Sequence, residues 1–292
     1  MNFRTDLALE RREYHEKETL DGVLSQSETI DGVKITTIEI INEQGEKLIG
    51  KPKGRYITIE TDRLYNSSET FSAVSDVLCR KIRELLPKEG TVLIAGLGNE
   101  DITPDALGPK CVGLILATRH ISSEFAQKLG LGNLRSVAGI VPGVLGKTGI
   151  ETVEIISGVV KKISPSCIIV VDALASRNTA RLGTTVQLCD TGVSPGSGVG
   201  NRRKGINAEN LGVPVIAIGV PTVVDALTMA SDILEKTGTT LNEADYPEHR
   251  QMMVTPKEID SLIDKSARLV AMGINLALQE NLSAEDITEI VG

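Results

Sequence analysis

Residues 91–109 of the chain are Thr91-Val-Leu-Ile-Ala-Gly-Leu-Gly-Asn-Glu-Asp-Ile-Thr-Pro-Asp-Ala-Leu-Gly-Pro109, and residues 167–177 are Cys167-Ile-Ile-Val-Val-Asp-Ala-Leu-Ala-Ser-Arg177. Each stretch begins with a short apolar run, which predicts a buried strand. An aspartate follows each run, Asp105 in the first and Asp172 in the second. Open α/β sheets place their sites at the carboxyl ends of parallel strands. We therefore expect Asp105 and Asp172 to lie close together at one edge of such a sheet.

The composition suits this fold class and argues against direct binding to nucleic acid. The chain has 292 residues, of which 41% are hydrophobic, 24% charged and only 2% aromatic, with no Trp. A core of Val, Ile, Leu and Ala is typical of buried parallel strands. Proteins that bind single strands need aromatic rings on which bases stack. The net charge of −8, with Arg202-Arg203-Lys204 as the longest basic cluster, is also unsuited to a phosphate backbone.

The cysteines and histidines predict neither a disulfide framework nor a bound metal. Four cysteines are scattered without a C-x-x-C pair, and three histidines lack H-E-x-x-H spacing. We interpret the cysteines as buried, reduced thiols and expect no cofactor. The N-terminus is polar, and no apolar run reaches the roughly 20 residues that a membrane span needs. A cytoplasmic protein without a membrane partner is therefore expected.

The order of predicted elements indicates an α/β protein: a mainly parallel twisted sheet flanked by helices, with a β-rich N-terminal appendage. The appendage ends near residue 66 and contains strands at Val33–Ile41 and Arg55–Thr61, separated by turn-rich Asn42–Gly45 and Lys51–Gly54. Residues 67–292 form the α/β core, in which strands and helices alternate. Its predicted elements are a helix Ser67–Leu86, strand Thr91–Ala95, helix Ala106–His120, strand Ser136–Val141, helix Glu151–Ile163, and strands Cys167–Val171, Gly183–Leu188 and Val213–Ile218. Thr255-Pro-Lys-Glu258 predicts a capping box that starts a long C-terminal helix.

Asp105 and Asp172 admit several interpretations when the residues are taken alone. Each aspartate is a common helix cap or turn residue. Two close carboxyl groups cannot both ionise easily, so one retains a proton and the other acts as a base, as hydrolysis by an activated water requires. The same two oxygen ligands suit a metal-dependent peptidase, although no third ligand is evident. Gly98 and Asn99 in Gly96-Leu-Gly-Asn99 also resemble a phosphate-binding turn, but the remaining residues of nucleotide motifs are missing.

Two further segments are candidates for the surroundings of this site. The glycine-rich stretch Asp190–Lys204 follows a predicted strand, and the loop around Gly196 and Gly198 would lie over the site. Its backbone amides would steady an oxyanion or an extended peptide, unless it is only a connector. Asp225 ends Gly219-Val-Pro-Thr-Val-Val-Asp225 and is expected either to support the site or to cap the next helix.

The chain resembles the germination proteases of spore-forming bacteria along almost its whole length. The motifs that carry the resemblance are Gly96–Asn99, Thr103–Pro109, Ile140–Val144, Gly146–Glu151, Val171–Ala175, Pro195–Asn201, Val213–Ala226 and Met253–Glu258. The resemblance implies an endopeptidase that degrades small acid-soluble spore proteins in the spore core during germination. It further implies an atypical aspartic type with Asp105 and Asp172 as the essential pair, a homotetramer, and a fold similar to metal-using hydrogenase-maturation proteases.

The resemblance also implies a zymogen that trims its own N-terminus. Arg4-Thr-Asp-Leu-Ala-Leu-Glu10 resembles the processing site of the family, in which an acidic residue precedes a bulky apolar residue and Ala. Self-cleavage is therefore expected between Asp6 and Leu7, which makes residues 1–6 a propeptide and 7–292 a single peptidase domain. The chain departs from longer members of the family between Asp232 and Met253, where it is shorter.

Overall fold

The computed structural model describes residues 4–15, 19–61, 67–128, 130–196, 203–235, 237–239, 241, 245–249 and 251–291. Nine strands within these ranges form one sheet in the order β1-β2-β3-β7-β8-β6-β4-β5, with β9 paired to β8. The strands are β1 Val23–Ile30, β2 Val33–Ile40, β3 Gly54–Glu60, β4 Val92–Gly96, β5 Val137–Ile140, β6 Cys167–Ser176, β7 Thr185–Cys189, β8 Val215–Asp225 and β9 Met253–Val254.

The predicted α/β class is confirmed. Strands β5, β4, β6 and β8 pair in parallel and form the core of the sheet. The N-terminal strands pair antiparallel, and β3 joins them to the core through an antiparallel pairing with β7. The β-rich N-terminal segment and the parallel core therefore share one continuous sheet.

Helices cover both faces of the sheet. The helices are α1 Ala8–Glu13, α2 Glu43–Ile49, α3 Ser68–Leu85, α4 Leu107–Gly113, α5 Ser123–Lys128, α6 Leu145–Thr148, α7 Thr152–Ile163, α8 Ala208–Leu211, α9 Ala226–Glu235, α10 Ile259–Leu278 and α11 Ala284–Val291. On one face, α3, α4 and α10 pack on odd-numbered residues of β6 such as Ile169. On the other face, α7 and α8 pack on even-numbered residues such as Ile168, while α1 and α2 cover the neighbouring part. Asp172 has the parity of Ile168, so its side chain belongs to this second face.

Several predicted boundaries are wrong for identifiable reasons. The helix predicted to reach His120 ends at Gly113, because the chain then turns so that the Thr118 and Arg119 amides bond to the Val137 carbonyl. The turn predicted at Asn42–Gly45 instead begins α2, where the Asn42 side chain accepts a hydrogen bond from the Gly45 amide. The capping box predicted at Thr255–Glu258 does not form. The Thr255 hydroxyl bonds to the Thr222 carbonyl, and α10 begins at Ile259 without a side-chain cap.

Strands β6 and β8 are longer than predicted, and this length shapes the site. β6 continues past Asp172 to Ser176, and β8 continues past Ile218 to Asp225. The two strands stay paired over this extension, whereas β4 ends at Gly96, opposite Val171. The edge of β6 beyond Asp172 is therefore open on the side of β4. None of the helices in the described part of the chain has the length and apolar character that a membrane span requires.

Candidate active site

The loop after β4 fixes Asp105 through backbone contacts. Asp105 ends a short 3-10 turn, Thr103–Asp105, in which its amide bonds to the Ile102 carbonyl. The Asn99 amide donates a 2.8 Å hydrogen bond to Asp105 Oδ2. Gly98 has a φ of 110°, and a Cβ at this position would overlap the Asp105 carbonyl oxygen. Gly98 and Asn99, predicted as parts of the site loop, thus hold the carboxylate in place.

Asp172 lies inside β6, at the level where β4 ends. The sequence placed Asp172 just after its strand, but it pairs with Gly219 of β8 in the middle of a longer strand. Asp172 is partly exposed and lines a cavity of about 690 Å³, which Asp105 also lines. The sheet therefore brings together the two aspartates that the sequence singled out.

The pKa values of both carboxyl groups are raised, and that of Asp172 is raised more strongly. The pKa of Asp172 is raised well above the ordinary aspartate value by burial first, and then by the negative charges of Asp105 and Asp6. Burial also raises the pKa of Asp105, but the Asn99 amide and the positive charge of Arg203 oppose that rise. Asp172 is thus the member more inclined to carry the proton, and Asp105 the member more inclined to ionise.

The predicted cleavage site, Asp6 and Leu7, lies beside Asp172. The Asp6 amide donates to the Ala175 carbonyl at 2.8 Å, and the Ala175 amide donates to Asp6 Oδ2 at 3.0 Å. Asp6 lines the same cavity as both catalytic candidates, while Leu7 and Ala8 are fully buried. The N-terminal segment therefore occupies the open edge of β6.

The segment that follows is anchored by a buried carboxylate. Glu10 accepts hydrogen bonds from the Arg177 amide at 2.7 Å and the Asn178 amide at 2.9 Å, and from the Thr5 hydroxyl. Arg181 approaches Glu10 at 3.4 Å and is itself buried. These contacts hold α1 against the end of β6.

The glycine-rich segment contributes one wall of the cavity. Gly196 lines it together with Val193, Ser194, Pro195 and Arg203. Gly198, the second predicted glycine of this loop, lies outside the described residues. No role was predicted for Arg203, whose positive charge lowers the pKa of Asp105.

Asp225 caps helix α9 and is not among the residues that line the cavity. Its Oδ1 accepts hydrogen bonds from the Thr228 amide and hydroxyl, each at 2.9 Å, at the start of α9. Its Oδ2 forms a 3.0 Å ion pair with Arg4. Of the two roles expected for Asp225, these contacts correspond to a helix cap.

Sequence reasoning missed Gln187, which contacts the predicted cleavage site. Gln187 lies in β7 and is buried. Its Nε2 donates to the Asp6 carbonyl at 3.0 Å, and its Oε1 accepts from the Ala8 amide at 2.8 Å. The sequence feature that could have identified Gln187 is a long polar side chain within the otherwise apolar run Val186-Gln-Leu188.

The described residues do not suit a metal centre. They contain no group of three His, Cys, Asp or Glu side chains arranged to hold a metal ion. The four cysteines are buried and unpaired with one another. The two aspartates would thus need ligands that this part of the chain does not place beside them.

Comparisons with known proteins identify the family. The family model described as germination protease matches residues 4–250 and 238–290 of the chain, two segments that overlap at 238–250. Germination proteases from Caldanaerobacter subterraneus subsp. tengcongensis and Clostridium perfringens are 45% and 42% identical to this chain. The first alignment covers 100% of this chain and 98% of its relative, and the second covers 99% of each.

The chain is also similar to a relative of lower identity and to a solved structure. The germination protease of Priestia megaterium is 37% identical over 97% of this chain and 95% of its own length. A NiFe hydrogenase maturation protease from Thermococcus kodakarensis is 18% identical, with a TM-score of 0.39, and covers 68% of this chain and 98% of its own. The near-complete coverage by the family model and by its sequence relatives leads to one conclusion: the chain belongs to the germination protease family and is a protease.

Proposed function

We propose that this protease is an endopeptidase in which Asp105 and Asp172 activate one water molecule between them. The observation that carries the proposal is that both carboxyl groups line one cavity, where burial and the charge of Asp105 raise the pKa of Asp172. An acid and a base then coexist at the same pH, which general acid–base catalysis requires.

The proposed reaction proceeds in two steps. Ionised Asp105 takes a proton from the water, whose oxygen adds to the peptide carbonyl carbon, while Asp172 gives its proton to the carbonyl oxygen. Asp105 then passes its proton to the amide nitrogen and the C–N bond breaks. One hydroxyl of the gem-diol returns a proton to Asp172, which leaves a carboxylic acid, an amine and the starting protonation of the pair.

We further propose that the chain is a zymogen whose first substrate is its own Asp6–Leu7 bond. Asp6 lies in the cavity with Asp105 and Asp172. Its amide and carboxylate are both bonded to Ala175 on the open edge of β6, so the segment is held like an added strand.

Small acid-soluble spore proteins are the proposed substrates in trans. We place the enzyme in the cytoplasm of the spore core as a homotetramer, a state that light scattering after size exclusion measures directly.

Substitution of each aspartate tests the proposal. The full-length chain is made by cell-free synthesis, and mass spectrometry follows both the loss of residues 1–6 and the cleavage of an added spore protein. We expect Asp105→Asn and Asp172→Asn to abolish both reactions while the circular dichroism spectrum stays unchanged. Asp101→Asn is the matched control, because Asp101 is exposed and pairs with Lys147 rather than with the catalytic candidates.

Two results would overturn the aspartate-pair mechanism. Full activity in Asp172→Asn would exclude Asp172 from catalysis. Loss of wild-type activity in a chelator, followed by recovery on adding one divalent metal, would favour the metal-dependent alternative. We expect the rate to be the same with and without chelator.

A further inference from the structure

Gln187 and Asp172 lie in one row across the sheet. Gly219 of β8 pairs with Asp172 on one side and with Gln187 on the other. Residues in register on neighbouring strands share a face, so the two side chains lie on the same face, with their Cα atoms about 10 Å apart, or two strand spacings. Gly219 contributes no side chain to this row, and a Cβ there would lie 2.5 Å from Leu174 Cγ.

The peptide Asp6–Ala8 lies against this row. Asp6, Asp172, Gln187 and Gly219 all line a second cavity, of about 320 Å³, which shares Asp6 and Asp172 with the first. The charge of Asp6 is one cause of the raised pKa of Asp172. The N-terminal segment therefore brings a peptide bond to the side of β6 that carries Asp172.

The two hydrogen bonds of Gln187 bracket the Asp6–Leu7 bond. Nε2 donates to the carbonyl oxygen of Asp6, the group that would be hydrated, and Oε1 accepts from the Ala8 amide on the other side of Leu7. Gln187 is buried and lies within a regular strand, so both bonds are held in a fixed geometry. A donor fixed on a peptide carbonyl is the arrangement that stabilises negative charge developing on that oxygen.

We infer that Gln187 is the peptide-carbonyl-binding residue of this site: it polarises the carbonyl of the cleaved bond and sets which bond faces the aspartates. This inference rests on the proposed function and adds to it a neutral amide donor from β7. Because both bonds of Gln187 go to the peptide backbone, the same contacts are available to any extended peptide that takes the place of the N-terminal segment.

Self-cleavage of the full-length chain tests the inference. The single-turnover rate of loss of residues 1–6 is measured by mass spectrometry during cell-free synthesis. Gln187→Leu removes the donor and keeps an apolar side chain of similar length, and we expect cleavage to slow by about 10²–10³-fold. Gln279→Leu is the matched control, because Gln279 is also buried and also bonds to backbone, at Arg135. It is expected to lower Tm and to leave the cleavage rate within a few-fold of wild type.

Gln187→Glu separates a role in catalysis from a role in folding. Its side chain donates to the Asp6 carbonyl only when protonated, so its rate relative to wild type should rise as pH falls. The ratio for Gln187→Leu should show no such rise. If Gln187→Leu does not fold, the pH dependence of the Gln187→Glu cleavage rate is the deciding measurement. A Gln187→Glu rate that equals the wild-type rate at every pH overturns the inference.

The outcomes also distinguish this inference from the proposed function. If Asp172→Asn is inert and folded Gln187→Leu cleaves within about twofold of wild type, Gln187 has no role in the reaction and the aspartate pair stands. If Asp172→Asn cleaves normally, the proposed function fails, whatever Gln187 does.

Discussion

Single backbone atoms decide the geometry of Asp105. Its carboxylate is held by the Asn99 amide, and its carbonyl lies where a Cβ of Gly98 would be. The sequence pointed to both Gly98 and Asn99 because they lie between a strand and the aspartate. It could not show that Asn99 acts through its backbone amide, since that contact depends on a positive φ at the preceding glycine.

Gly98→Ala should therefore inactivate the protease. Alanine disfavours a φ of 110°, and its Cβ would displace Asp105, so we expect self-cleavage to fall by at least about 100-fold and stability to fall by about 1–3 kcal/mol. Gly158→Ala in α7 is the control. Nothing lies within 4 Å of its added Cβ, and alanine should stabilise the helix by about 0.5–1 kcal/mol. Thermal unfolding and the self-cleavage assay measure both effects, and an active Gly98→Ala protein would contradict this role of Gly98.

Arg203→Gln should narrow the pH range of activity. The Arg203 charge opposes the rise that burial causes in the pKa of Asp105. Without it, the pKa of Asp105 rises further, and ionised Asp105 is lost at a higher pH. The acidic limb of the rate profile should therefore move to higher pH. Lys204→Gln, at an exposed neighbouring position, should leave the profile unchanged, and a shift of equal size in both variants would refute the assignment.

Among the elements, helix α10 followed from a local pattern, whereas the full length of strand β6 did not. The side chains of Leu262, Ile263, Leu269 and Val270 recur at helical spacing, and all four are buried in α10. Helix periodicity is local, whereas the length of a strand depends on its neighbour. β6 extends past Asp172 because β8 pairs with it there. The local sequence of Ala173–Ser176 does not predict this extension.

Arg181 links the N-terminal helix α1 to the sheet. It is buried and pairs with Glu13 of α1 at 2.8 Å, with Glu60 of β3 at 2.6 Å and with Glu10 at 3.4 Å. Arg181→Met leaves buried Glu10 without its cation, and we expect a loss of about 3–5 kcal/mol in the free energy of unfolding together with slower self-cleavage. Lys34→Met removes an exposed partner of the same Glu60 and should cost only about 0–1 kcal/mol. Urea unfolding compares the two, and equal losses would show that Arg181 is not the anchor.

At the scale of the whole molecule, the catalytic candidates lower the stability of the fold that holds them. The pKa of Asp172 is higher in the folded protein than the ordinary value of 3.8, mainly because of burial. A carboxyl group with a raised folded pKa costs stability as pH rises from its unfolded value through the folded one. This cost is absent in acid, where the group is protonated in both states.

Asp172→Asn should therefore be more stable than wild type at neutral and mildly alkaline pH. We expect a gain of about 1–3 kcal/mol, the usual cost of a buried polar group without sufficient partners, and a difference that disappears near pH 4. The comparison is made at matched N-termini by adding Asp105→Asn to both proteins, so that neither cleaves itself. Asp286→Asn should instead lower the free energy of unfolding at neutral pH, because hydrogen bonds from Ser283 lower the pKa of Asp286 in the folded protein. A gain for Asp172→Asn that persists unchanged in acid would rule out ionisation as its cause.

Local patterns in the chain were enough to predict the α/β class, helices such as α3, α7 and α10, and the two aspartates as site candidates. Hydrophobic periodicity and an apolar run before an aspartate involve only neighbouring residues. Three features appear only in the folded chain: β6 runs past Asp172, the N-terminal segment fills the open edge of β6, and Gln187 lies in one row with Asp172. These features depend on contacts between residues far apart in the chain, such as Asp6 with Ala175 and Gln187 with Asp6. Sheet register creates such contacts only when distant strands pair, so no spacing within the sequence encodes them.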